Sequence, residues 1–80
     1  MKSIDAASID ILRALKREAR VVPPGEIVVY AAPDVVNSLE SDYGELVDRV
    51  EDETGRSIDL RSDDEYSREN YDIVVEQADP

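Results

Sequence analysis

No cysteine, histidine, tryptophan or phenylalanine occurs in this sequence. Without thiols or imidazoles there is no disulfide, no thiolate or imidazole metal ligand, no Ser-His or Cys-His nucleophile pair and no histidine pH switch. Four tyrosines are the whole aromatic supply, and lysine is confined to Lys2 and Lys16. No apolar run approaches the ~20 residues that a membrane span needs, and the N-terminus has no signal-peptide hydrophobic stretch. What is present is 80 residues with 20 acidic and 9 basic side chains, a formal charge of −11 and 41% hydrophobic residues. A chain of this size forms one domain, spanning residues 1–80, and buries about 60% of its unfolded surface in a small two-layered core. The expected setting is soluble and cytoplasmic.

The acidity is uneven. In residues 1–25, Lys2, Arg13, Lys16, Arg17 and Arg20 outnumber Asp5, Asp10 and Glu18, so the acidic excess lies entirely beyond them. Such a surface repels phosphate backbones and suits solubility at high salt.

The first segment has the periodicity of a helix. Ser3 stands as its N-cap with Asp5 in the first turn. Ile4, Ser8, Ile11, Leu12, Leu15, Ala19 and Val22 follow one helical face, with Ser8 the one polar member. Pro23-Pro24-Gly25 ends it. Residues 26–32 (EIVVYAA) read as a strand, apolar on both faces and therefore central. Pro33 opens a second helix running to about Thr54, with Val35, Val36, Leu39, Tyr43, Leu46, Val47 and Val50 as its buried stripe. Gly44 falls inside this helix and is a point where it can bend. Gly55 suits the position just past its end. SIDLRS (57–62) and YDIVVE (71–76) are two further strands, joined by a polar connection, and the tail 77–80 is expected to fray.

The expected fold is therefore α/β in the order α-β-α-β-β. It is a two-layer sandwich with two helices on one face of a three-stranded mixed sheet. The βαβ part gives a parallel pair, and the short link before the last strand makes the final two strands antiparallel.

The carboxylate runs Glu51-Asp52-Glu53 and Asp63-Asp64-Glu65 match no calcium loop, lacking its glycine and terminal bidentate glutamate. They read as solvated charge, and no metal, cofactor or catalytic residue is expected. Arg13, Lys16, Arg17 and Arg20 share one helix face and are the candidate RNA contact. No glycine-rich phosphate cradle or interleaved aromatic accompanies them, so pairing with carboxylates of this chain or a partner is the competing reading. If Ile27, Val29, Ile58, Leu60, Tyr71 and Ile73 face the helices, then Val28, Tyr30 and Val74 face away, rimmed by Asp59, Arg61, Asp72 and Glu76. An apolar centre with a charged rim is how subunit interfaces are arranged, and these three residues are the candidate interface, most simply for a symmetric homo-oligomer.

Taken together, these segments resemble the C-terminal part of the conserved region of ribonuclease E/G proteins. The matching points are Ile11-Leu12-Arg13, the Val29-x-Ala31-x-x-x-Val35 pattern, Leu39, Gly55-Arg56-x-Ile58, and Tyr66 followed by Glu69-x-Tyr71-Asp72. The resemblance runs over nearly all of the chain. It implies the small domain of that family, which follows a cysteine-containing zinc link and brings protomers together. The family's magnesium-binding carboxylates, S1 domain and 5′-end sensor lie upstream of the matched segment, and none of their motifs occurs here. The resemblance thus implies a fragment of a longer endoribonuclease of RNA processing and decay, a non-catalytic oligomerisation domain whose partners are its own copies and the other domains of the parent. The alternative is a small nucleic-acid-binding module using the basic face of helix one.

Overall fold

The computed structural model describes residues 2–76; the tail expected to fray, 77–80, lies outside them. Helix α1 spans Ile4–Glu18, strand β1 Glu26–Ala31, helix α2 Pro33–Glu40, helix α3 Gly44–Thr54, strand β2 Ile58–Ser62 and strand β3 Tyr71–Glu76. The fold is α/β, with three helices and a three-stranded mixed sheet in the order β2-β1-β3.

Helix α1 begins where Ser3 accepts a hydrogen bond from the Ala6 amide at 3.0 Å. Its face carrying Ile11, Leu12 and Leu15 is buried against α2 and α3, and Ser8 lies in the same seam. Ser8 donates to Ser38 of α2 at 3.1 Å, both side chains being buried, which accounts for the one polar residue in that stripe.

The stretch read as one long second helix is two helices, α2 and α3. Ser41 turns its hydroxyl back on the Asn37 carbonyl at 2.8 Å, and the Tyr43 amide reaches the Ser38 carbonyl instead of continuing the helical ladder. Serine and aspartate compete for backbone groups in this way, and the glycine that follows adds little helix propensity. Tyr43 then donates its phenol to Asp5 at 2.9 Å, which fixes the break against the start of α1.

Strand β1 is central, as its two apolar faces require. It pairs in parallel with β2, with Ile27 opposite Ile58 and Val29 opposite Leu60. It pairs antiparallel with β3, with Ile27 opposite Val75 and Val29 opposite Ile73. The last two strands do run in opposite directions, but they are separated by β1 and are not neighbours. All three helices contribute to one core with Ile27, Val29 and Ala31, while Ile58, Leu60, Tyr71 and Ile73 pack at its margin.

Helix α3 ends at Gly55, whose φ of 67° is the left-handed conformation that glycine adopts without strain. Arg56 follows, and its guanidinium donates to the carbonyls of Ala19, Val22, Pro23 and Gly25. One side chain thereby satisfies carbonyls at the end of α1 and along the turn into β1.

Candidate functional site

The sheet face away from the helices carries Val28 and Tyr30 from β1, Asp59 and Arg61 from β2, and Asp72, Val74 and Glu76 from β3. Registers set their spacing: Val28 stands opposite both Asp59 and Val74, and Tyr30 opposite both Arg61 and Asp72. The strand order thus brings the three candidate interface residues together.

Their exposure differs. Val74 is 40% exposed, Tyr30 is half-buried and Val28 is fully buried. Arg61, expected from sequence only on the rim, reaches across this face. Its Nε donates to Asp59 at 2.8 Å, and its two terminal nitrogens reach Glu76 at 3.3 Å. One of these also donates to the Tyr30 hydroxyl at 3.3 Å, with the guanidinium 5.9 Å from that ring's centre. Since Arg61 pairs with Tyr30 and Glu76 with Glu26, the bridge crosses β1 at the level of Val28. The Asp59 hydrogen bond first, then Tyr30 and Glu76, push the Arg61 pKa further above the ordinary arginine value. The face is thus a cationic strap between carboxylates, with Val74 and part of Tyr30 as its accessible apolar surface.

Tyr66, in the connection before β3, donates its phenol to Asp72. That hydrogen bond, then desolvation, pushes its pKa up to about 12. The connection is itself anchored. Arg68 pairs with Asp34 in the first turn of α2 at 2.7 Å, and Asn70 accepts from the Ser67 amide at 2.7 Å.

The four basic residues are exposed but do not share one helix face, because α1 ends at Glu18 and Arg20 lies in the turn beyond it. Arg17 turns toward the β3 side, beside Glu18, Tyr71 and Asp72, and meets Glu18 at 3.9 Å. Arg20 lies with Lys16 near Glu53. Arg13 and Lys16 border a shallow groove between α1 and α3, where Arg49 joins them. Arg49 was not singled out from sequence, although its place three residues after Leu46 sets it beside the same apolar stripe.

The carboxylate runs have local structural duties. Glu51 accepts from the Ile58 amide at 2.7 Å, tying α3 to β2, and Asp63 accepts from the Glu65 amide at 2.9 Å. Among the described residues no three carboxylates converge as metal ligands would, and no helix is long and apolar enough to cross a membrane.

No family model matches the chain. It is distantly similar to ribonuclease G of Salmonella typhimurium (strain SL1344), with 23% identity over 75 residues. The match takes in 94% of this chain and 15% of that protein, so the chain corresponds to a small segment of it.

Proposed function

We propose that this chain is a non-catalytic structural domain of a cytoplasmic ribonuclease E/G-like endoribonuclease of RNA processing and decay, and that it joins protomers through the open face of its sheet. The observation that carries this reading is the end-to-end similarity of a whole folded unit to one small segment of ribonuclease G. The matched points also have structural work: Gly55 ends α3, Arg56 bonds the turn between α1 and β1, and Tyr66 bonds Asp72 at the edge of the open face. Val74, exposed among paired charges, is the contact centre, and Arg61 is the group that a partner's carboxylate can share. The basic face of α1 supports an RNA-contacting module less well, because Arg17 diverges from Arg13 and Lys16 and no ring lines the groove beside them.

The test is light scattering after size exclusion at low and high salt. A dimer or larger species is expected, strengthened at high salt as the −11 charge is screened. Val74→Asp is expected to disperse it with the fold intact, and Tyr30→Asp to do the same at greater cost to folding. A strict monomer at every salt and concentration, or an oligomer indifferent to Val74→Asp, would overturn the role of this face.

A further inference from the structure

A second accessible apolar surface lies on the helical layer. Ile9 and Leu12 of α1 and Leu46 of α3 form the floor of an open groove of about 200 Å³. Ile9 is 39% exposed and Leu46 41%. Large aliphatic side chains left this open at one place mark a contact surface more often than scattered exposure does.

The rim has the opposite sign to the rest of the molecule. Arg13 and Lys16 stand on the α1 side and Arg49 on the α3 side, all exposed. In a chain with 20 acidic side chains, none of these three cations lies within ion-pair distance of a carboxylate among the described residues. Three unpaired cations around an apolar floor complement carboxylates that flank apolar side chains.

We infer that the α1–α3 groove docks an acidic amphipathic helix of a separate partner protein. The volume is below the ~300–1,000 Å³ of small-molecule sites, but an apolar side chain or two can enter it. The two helices run side by side in the same direction, Tyr43 at the start of α3 meeting Asp5 at the start of α1 and Glu53 lying near Lys16. Such a pair of walls is a setting in which a third helix lays its i, i+3, i+4, i+7 anchors. RNA would leave the aliphatic floor unused, finds no aromatic ring for base stacking, and meets the repulsion of the whole chain. The groove and the open sheet face are on opposite sides of the domain, so this inference does not depend on self-association.

The experiment titrates the intact chain into a fluorescein-labelled, three-turn helical peptide with leucines at i, i+3, i+4 and i+7 and glutamates flanking them, read by anisotropy. Saturable binding is expected, weakened roughly tenfold by Arg13→Glu combined with Arg49→Glu, and weakened likewise by Leu46→Gln. Amide shifts on binding are expected at Ile9, Leu12 and Leu46. These substitutions are at exposed positions, and matching thermal melts establish that the variants fold. The inference fails if the peptide does not bind or if its lysine-for-glutamate counterpart binds as well. It fails too if shifts map to Tyr30 and Val74, or if labelled oligouridine binds in preference. A chain whose own self-association is lost with Arg13→Glu would make the occupant a second copy, and overturn it as well.

Discussion

The hydroxyl of Ser8 meets that of Ser38 at 3.1 Å in the otherwise aliphatic seam between α1 and α2. A hydroxyl at each position keeps both satisfied where neither reaches solvent. Changing either one to alanine strands its partner, and a loss of about 1–2 kcal/mol is expected. Changing both removes the demand along with the bond, so the double variant should lose less than the sum of the singles. Chemical denaturation of all four proteins measures this, and strict additivity would sink the account.

Arg56 is expected to be the costliest polar side chain to remove. Its guanidinium serves four carbonyls across the turn between α1 and β1. Arg56→Ala should lose about 2–3 kcal/mol, and Arg56→Lys an intermediate amount, because an ammonium has fewer donors and no planar fork. The urea midpoint should fall with an unchanged slope. A midpoint within error of the parent would show that water replaces the guanidinium freely.

The glycines that bound α3 should respond with opposite signs. Gly55 has φ of 67° and Gly44 does not have a positive φ; a Cβ at either would meet nothing within 4 Å. Sterics are therefore equal, and conformation alone decides. Gly55→Ala should cost about 1 kcal/mol, whereas Gly44→Ala should stabilise by ~0.4–1 kcal/mol. Thermal melts that move in the same direction for both would contradict this.

Tyr66 should ionise late. Its pKa lies at about 12, above the ordinary value of 10.0, because its phenol donates to Asp72. The folded state therefore favours the protonated phenol. That stabilising contribution is complete below pH 10 and is lost as pH rises through about 12. A near-ultraviolet titration should show a step near pH 12 that is absent in Tyr66→Phe and shifted downward in Asp72→Asn. A titration near that pH left unchanged by Tyr66→Phe would refute the hydrogen bond.

Much of this was legible in the sequence, and the remainder has identifiable causes. Ser3 and Gly55 announced helix ends because caps are local chemistry, and the two apolar faces of residues 26–32 announced a central strand. The apolar period of the second helix continues from Leu39 through Tyr43 to Leu46 across the break, so periodicity alone joined α2 to α3. The competing signal was Ser41-Asp42 ahead of Gly44. Alternation along β3 shows which side chains share a face but not which strand lies alongside, and so left its pairing with β1 undetermined. Val28, Tyr30 and Val74 were correctly grouped on one face, yet neither the full burial of Val28 nor the reach of Arg61 across the face from β2 could be read from alternation. The partnership of Arg49 with Arg13 and Lys16 likewise exists only once α3 is packed on α1.

The strand order β2-β1-β3 leaves the sheet without a hairpin, since the first strand in the chain lies between two that come much later. Neither ladder can nucleate from a tight turn, and each must close a long loop before its first pair forms. Turns of helix form from local contacts and are expected to be the early structure, with the β3 ladder closing late. Substitutions along β3 should consequently act on how fast the domain opens, and hardly at all on how fast it forms.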